Sequence, residues 1–120
     1  MSPRNLQTLD LDVNTQGVVV KGMMGKPGIL LVWAAFCGHC TRFKPTFSEL
    51  DSRIGIDFNV VALEDKQLTR QISTSLGIGG YPTLKFFDKA GKVVSDYNGD
   101  RSLDSLLSHI CKFYHTCAAK

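Results

Sequence analysis

The chain has 120 residues, of which 43% are hydrophobic and 21% charged, and this composition suits one compact domain with its own core. The 14 basic and 11 acidic residues leave a net charge of only +3, and the lysines and arginines are scattered, so we expect no nucleic-acid partner. No segment is long and apolar enough to cross a bilayer, so we expect no membrane partner.

The N-terminal elements are predicted to be strands and loops. Residues 6–11 alternate polar and apolar side chains, which predicts an edge strand. Residues 17–21 fit either a short extended segment or a helical turn, and the three glycines of residues 22–28 indicate a loop. The continuous apolar run at 29–35 predicts a strand that is buried on both faces, as in a parallel sheet.

Helices and strands alternate after this run. Apolar side chains at helical spacing predict a helix over about 37–53, kinked at Pro45. Residues 56–63 predict a second buried strand. Asp65 is expected to cap the next helix, which Gly77 ends.

The last third of the chain predicts a hairpin and a helix. Strands over 83–87 and 92–97 flank a turn at 88–91, and Ser102 is expected to cap the final helix. The resulting order β, β, α, β, α, β, β, α predicts an α/β fold with a mixed central sheet and helices on both faces. Such folds place chemistry at the carboxyl edge of the sheet.

The motif Cys37-Gly38-His39-Cys40 directly follows the buried strand. At a helix start, backbone N–H groups and the helix dipole favour the Cys37 thiolate, which is the nucleophilic form. Cys40 lies one helical turn later, where it can attack a mixed disulfide formed at Cys37. Gly38 is expected to let the turn close tightly and a substrate backbone approach. An imidazole at His39 would stabilise the thiolate and make the disulfide more oxidising.

The alternative for this motif is half of a structural zinc site. Such a site needs two cysteine pairs, and the chain has only one pair at this spacing. Because the pair also follows a buried strand, we favour redox chemistry and predict no metal ligands.

Three segments resemble a known family: FCGHCTRFKP (36–45), GYPTLKFF (80–87) and YNGDR (97–101). The resemblance as a whole covers roughly residues 28–115. They resemble the thioredoxin superfamily, and most closely a single catalytic domain of protein disulfide isomerase. The resemblance therefore implies a thioredoxin fold, which we expect to occupy residues 1–120 as one domain.

The resemblance also implies a substrate-binding loop. It implies that the Tyr81–Pro82 peptide bond is cis and lies against the cysteine pair, with a substrate chain held in extended form beside it. The expected apolar rim consists of Phe36, Gly79, Tyr81 and Pro82. Arg101 matches an arginine that tunes the second cysteine, although a solvated cation at a helix start is an equal alternative.

Two positions depart from the family pattern. The family places a buried carboxylate six residues before its first cysteine, where this chain has Leu31. A lysine paired with that carboxylate falls on Leu63. A lone buried charge would cost several kcal/mol. We therefore expect the carboxylate and the lysine to be replaced together, by two leucines that pack. Cys40 would then lack a built-in base, and mixed disulfides should resolve slowly.

The C-terminal cysteines admit three interpretations. In a continuous helix Cys111 and Cys117 would lie about 9 Å apart along the axis, too far for a disulfide, so unpaired thiols are favoured. A local bridge becomes possible if the helix ends near Phe113. A metal cluster with His109 and His115 is disfavoured, because these four residues do not share one helical face.

We therefore predict a thiol–disulfide oxidoreductase with protein disulfide isomerase-like activity on cysteine-containing proteins. It should need no cofactor, work as a monomer, and exchange electrons with a reductase or glutathione. One alternative is a thioredoxin-like reductant, which the lack of a signal peptide favours and His39 opposes. Another is a redox-insensitive binding module, which the intact motif opposes. Since neither end carries a recognisable targeting signal, we expect a cytoplasmic location by default.

Overall fold

A five-stranded sheet organises the computed structural model, which describes residues 3–118. The strands are β1 (Arg4–Asn5), β2 (Leu11–Asn14), β3 (Gly17–Val20), β4 (Gly28–Trp33), β5 (Asn59–Glu64), β6 (Thr83–Phe87) and β7 (Val93–Tyr97). The helices are α1 (Gly38–Ile54), α2 (Arg70–Leu76) and α3 (Leu103–Tyr114). The first two and last two residues of the predicted domain lie outside the described residues.

The sheet is mixed, as predicted. Its strand order is β1–β5–β4–β6–β7, in which β1, β5 and β4 are parallel while β6 and β7 are antiparallel to their neighbours. Strands β2 and β3 form a separate antiparallel hairpin. Strand β4 is therefore central, and the chain leaves its carboxyl end directly into α1.

Each face of the sheet carries its own hydrophobic cluster. Successive side chains of a strand point to opposite faces, so Ile29 and Leu31 pack with residues of α1 and α3. Leu30 and Val32 pack with residues of α2 and of the β2–β3 hairpin. All four side chains are fully buried. This arrangement confirms the predicted strand buried on both faces and the helices on both sides.

The predicted edge strand over 6–11 is wrong. Leu6 is buried and its N–H donates to the Ala62 carbonyl oxygen at 2.7 Å, but the chain then enters a 3₁₀ turn at 8–10. The Gln7 N–H donates to Asp10 Oδ2 at 2.8 Å and closes that turn. The alternation misled because Leu9, although apolar, is 82% exposed. Residues 17–20, left open above, form a strand.

Two element starts also differ from the predictions. Helix α2 begins at Arg70, because the Thr69 hydroxyl accepts the Ile72 N–H at 3.1 Å, whereas Asp65 begins a separate 3₁₀ turn. Gly77 ends α2 in the left-handed conformation, as predicted. Strand β5 begins three residues later than position 56, since the chain is still turning after α1 and Ile56 is 77% exposed.

The favoured prediction of unpaired thiols at the C-terminus is wrong. Cys111 and Cys117 form a disulfide with their Cα atoms 4.4 Å apart. Helix α3 ends at Tyr114, and His115 adopts a left-handed conformation with φ of 58°. This residue reverses the chain, so Cys117 returns alongside Cys111 instead of continuing along the helix axis. Both sulfurs are bonded to each other, which also removes the metal-cluster alternative.

Within residues 3–118, no helix has both the length and the apolar content that a membrane span requires. The same residues contain no group of three His, Cys, Asp or Glu side chains arranged to hold a metal ion.

Candidate active site

Cys37 occupies the junction between β4 and α1. It is the N-cap residue of α1, and its sulfur accepts a hydrogen bond from the Cys40 N–H at 3.2 Å. The Cys37 carbonyl oxygen accepts the Thr41 N–H, also at 3.2 Å, so the backbone is fixed on both sides of the sulfur. The strand-to-helix junction thus directs the Cys37 sulfur at the unpaired N–H groups of the helix start.

These surroundings lower the pKa of Cys37. The largest contribution is the hydrogen bond from the Cys40 thiol, and the backbone N–H groups of Cys40 and His39 add to it. The positive charge of Arg101 also lowers the pKa, whereas partial burial opposes the shift. Cys37 is therefore the sulfur of the pair that ionises first.

Cys40 has the opposite properties. It is completely buried, and loss of solvation together with its hydrogen bond to Cys37 raises its pKa to about 11. Both thiols are free, so the pair is in its reduced form. The charges that act on Cys40 come from Cys37 and Arg101, and no carboxylate among the described residues contributes. The pair therefore combines a ready nucleophile with a thiol that holds its proton.

The proline loop lies against this pair. The Tyr81–Pro82 peptide bond is cis, as the family resemblance implied, and the Cys37 thiol lies 3.5 Å from the Tyr81 carbonyl oxygen. The Phe36 ring is 78% exposed and meets the Tyr81 ring edge-on at 6.0 Å. Gly79 is exposed in the same loop, and a Cβ there would meet nothing within 4 Å. The structure thus brings Phe36, Tyr81 and Pro82 together around Cys37.

His39 is arranged differently from the expectation. Its ring is exposed, and its Nδ1 lies 2.9 Å from Nη2 of Arg42. A guanidinium can only donate, so this Nδ1 accepts and carries no proton. The backbone N–H of His39 lowers the pKa of Cys37, while no contribution comes from the ring. The tuning role of the imidazole stays a prediction.

The backbone at Gly38 has no feature that only glycine can adopt. Gly38 is the first residue of α1, and it is not among the glycines with a positive φ. A Cβ at this position would meet only the Arg42 side chain, at an ordinary contact distance of 3.5 Å. The expectation that Gly38 helps the turn to close and a substrate backbone to approach stays a prediction.

Arg101 lies in the loop before α3. It is exposed, and it lines a cavity of about 230 Å³ together with Pro82 and Tyr97. Its charge lowers the pKa of both Cys37 and Cys40. A solvated cation can therefore still act on the cysteine pair, and the two interpretations of this residue are compatible.

The two leucines that replace the family's ion pair do not pack together, contrary to expectation. Leu31 pairs with Ala62 across β4–β5 and faces α1, whereas Leu63 pairs with Val32 and faces α2. The paired replacement therefore needs another explanation. Both side chains are fully buried, and an apolar residue is favoured at each position because it packs within its own hydrophobic cluster.

A cavity that the sequence analysis missed lies beside Leu31. It measures about 160 Å³, and Trp33 and Lys44 also line it. The Lys44 ammonium lies 3.1 Å from the centroid of the Trp33 ring, and the Trp33 Nε1 is buried without a hydrogen-bond partner among the described residues. The signal for Lys44 was its spacing: it lies four residues after Cys40, on the same side of α1.

Comparison with known proteins agrees with this geometry. The thioredoxin family model matches residues 10–112. The chain is 37% identical over 101 residues to protein disulfide-isomerase erp38 of Neurospora crassa, covering 82% of this chain and 27% of that protein. It is 32% identical over 111 residues to protein disulfide isomerase-like 2-2 of Oryza sativa subsp. japonica, covering 92% and 27%. Thioredoxin f from spinach chloroplast shares the fold, with a TM-score of 0.69, 24% identity and 92% coverage of both chains.

A reduced cysteine pair at the start of a helix on this fold defines the class of thiol–disulfide oxidoreductases. The chain belongs to the thioredoxin family. It spans about a quarter of the length of the two curated isomerases described above.

Proposed function

We propose that this chain exchanges disulfides with cysteine-containing proteins, as a single thioredoxin-like domain with protein disulfide isomerase-like activity. The observation that carries the proposal is the asymmetry of the pair. Cys37 is partly exposed with a lowered pKa, whereas Cys40 is buried with a pKa of about 11. A nucleophile needs the first set of properties, and a resolving thiol that waits for a mixed disulfide needs the second.

The reaction proceeds in two exchanges. In the first, the Cys37 thiolate attacks a substrate disulfide, a Cys37–substrate bond forms, and the other substrate sulfur leaves as a thiolate. In the second, Cys40 gives its proton to water and attacks the Cys37 sulfur, which releases the second substrate thiolate. The substrate gains two electrons and the pair becomes a disulfide. Reduced glutathione or a reductase then returns the pair to the dithiol. The reverse sequence oxidises a substrate dithiol and leaves the pair reduced, and oxidised glutathione then returns it to the disulfide.

Substrate binding follows from the surface around Cys37. The exposed Phe36 ring and the half-buried Tyr81 ring offer an apolar contact, and the backbone at Tyr81 lies 3.5 Å from the Cys37 sulfur. An extended substrate segment can pair with this backbone as an added strand. The unobstructed backbone at Gly79 leaves room for that segment to approach.

The second exchange should be the slow one. With a pKa of about 11, only roughly 10⁻⁴ of the Cys40 thiol is ionised at pH 7. Leu31 supplies no base behind it, and the residue is fully buried. Once Cys37 is part of a mixed disulfide, its thiolate no longer raises the pKa of Cys40. The burial of Cys40 still raises that pKa.

Trapping of substrates tests the proposal. The Cys40→Ser variant, mixed with an unfolded protein disulfide such as insulin, should accumulate a covalent adduct through Cys37 that mass spectrometry can locate. The Cys37→Ser variant should form none. The double variant Cys111→Ser/Cys117→Ser is the matched control and should turn over like the unmodified chain. Adducts through Cys40, or none in any variant, would contradict the proposal.

A second candidate function is that of a thioredoxin-like reductant. The contact between His39 and Arg42 favours it, because the Nδ1 that accepts from the guanidinium cannot donate a hydrogen bond to the Cys37 thiolate. Equilibration with glutathione separates the two candidates. A reduction potential near about −180 mV fits an isomerase or oxidant, whereas one near about −270 mV fits a reductant.

A further inference from the structure

The two cysteine pairs lie at opposite ends of α1. Cys37 caps the start of this helix, and Cys117 lines a cavity of about 200 Å³ with residues 54–57 beyond its end. The helix has 17 residues, which corresponds to about 25 Å. Cys37 therefore cannot reach the Cys111–Cys117 disulfide of its own chain, and the second pair must exchange electrons with something else.

The Cys111–Cys117 disulfide is open to attack from solvent. Cys117 is exposed and Cys111 is partly exposed, in contrast to the buried Cys40. Cys117 follows α3 in a segment without regular secondary structure. An incoming thiolate can therefore approach Cys117, with Cys111 as the leaving sulfur.

The same disulfide holds the end of the chain in place. In the described part of the chain, the backbone of residues 116–118 forms no hydrogen bond with another backbone group. Before it, the His115 N–H donates to the Cys111 carbonyl oxygen at 3.1 Å, and the Tyr114 ring stacks on Phe86 at 5.0 Å. Ala118 packs against the core cluster under α1 and α3. The covalent link thus contributes much of what keeps residues 115–118 docked.

We propose that Cys111–Cys117 is a second thiol–disulfide exchange site, opened by a thiolate from outside the chain, and that its reduction releases residues 115–118. The incoming thiolate attacks the Cys117 sulfur, a mixed disulfide forms, and Cys111 leaves as a thiolate that takes a proton. A second external thiol then attacks the mixed disulfide and frees Cys117. The external pair loses two electrons and becomes a disulfide, and the chain gains two thiols.

Two sources can supply the thiolate: a small thiol such as glutathione, or Cys37 of a second copy of this chain. The second source rests on the proposed function. The double variant Cys37→Ser/Cys40→Ser isolates the second site, because Cys111 and Cys117 are then its only cysteines.

The first experiment treats this double variant with reduced glutathione or dithiothreitol under native conditions. Alkylation and mass spectrometry follow the thiols, and hydrogen exchange follows the backbone. We expect both thiols to appear without global unfolding, and exchange at the His115 N–H, which is hydrogen-bonded to Cys111, to become at least about tenfold faster. Exchange at α1 should not change. A disulfide that opens only when the whole domain unfolds would overturn the proposal, and so would reduction with unchanged exchange at the His115 N–H.

The second experiment identifies the source. The reduced variant Cys111→Ser/Cys117→Ser is mixed with the oxidised variant Cys37→Ser/Cys40→Ser, and insulin reduction by the same sample is measured in parallel. Transfer at least about tenfold faster than with glutathione at equal thiol concentration assigns the reaction to a second copy. Insulin reduction without such transfer assigns it to small thiols. Failure to reduce insulin would count against the proposed function, while the glutathione experiment alone still decides the second site.

Discussion

The two ends of α1 hold cysteine pairs of different character. At its start, the N-cap residue Cys37 and the helical residue Cys40 are three residues apart, and the sulfurs are free. Beyond its end, Cys111 and Cys117 are six residues apart around a left-handed residue, and the sulfurs are bonded. A helix start offers N–H donors that stabilise a thiolate, whereas a helix end such as that of α3 offers carbonyl groups that do not. The backbone around a cysteine pair, more than its spacing, therefore sets its chemistry.

Loss of the first cysteine pair should reduce insulin reduction far more than loss of the second pair. Cys37→Ser should lower the rate of insulin reduction by about 10³-fold or more, because it removes the nucleophile. The matched variant Cys111→Ser/Cys117→Ser should stay within about twofold of the unmodified chain, since that pair lies about 25 Å away. A comparable loss in both variants would show that the two ends of α1 act together.

The next effect is the pH dependence of resolution. Cys40 reacts as a thiolate and its pKa is raised, so the reactive fraction grows as the pH rises toward that pKa. The decay rate of a mixed disulfide at Cys37 should increase about tenfold per pH unit between pH 6 and 8. Stopped-flow release of a fluorescent thiol measures it. A flat profile over this range would mean that a base already serves Cys40.

A base placed near Cys40 should reduce the difference in reactivity between Cys37 and Cys40. Leu31→Glu places a carboxyl on the face that carries α1, beside the cavity that Lys44 lines. It should speed resolution several-fold at pH 7, at a cost of about 1–3 kcal/mol in the free energy of unfolding. The matched control is Leu63→Glu, which lies on the opposite face. It should lose similar stability without any gain in rate, and equal rates in both variants would refute the role of position 31.

The smallest effect concerns the charge near the first pair. Arg101→Gln removes a cation that lowers the pKa of Cys37, so the alkylation rate of Cys37 at pH 7 should fall about two- to fivefold. The difference should shrink in high salt, because the residue is exposed. Lys89→Gln, an exposed cation in the β6–β7 turn, is the control and should leave the rate unchanged.

The sequence predicted the parts of the molecule where one physical signal dominates. The apolar run of β4 has no polar residue to leave on a solvent face, so burial on both sides followed directly. The position of Cys37 at a helix start followed from the helical spacing of Phe43, Phe47 and Leu50 after it. The cis bond before Pro82 came from the family resemblance alone.

The parts that failed depend on contacts between distant residues. Thr8 bonds to Gln67 across the fold, so its segment forms a turn although its own pattern resembles a strand. Leu31 and Leu63 were treated as neighbours, but strand register puts them on opposite faces. A one-residue difference in register is enough to separate them. The disulfide at Cys117 depended on a left-handed residue at His115, a conformation that is uncommon for residues other than glycine.

The two thiols of the first pair ionise in a fixed order, Cys37 before Cys40. The direct measurement is the rate of iodoacetamide labelling of Cys37 and Cys40 as a function of pH, resolved by peptide mass spectrometry on the reduced chain. Cys37 should label with a midpoint below the usual cysteine value, and Cys40 should remain protected until the pH approaches about 11. A shared midpoint, or earlier labelling of Cys40, would contradict the assignment of nucleophile and resolving thiol.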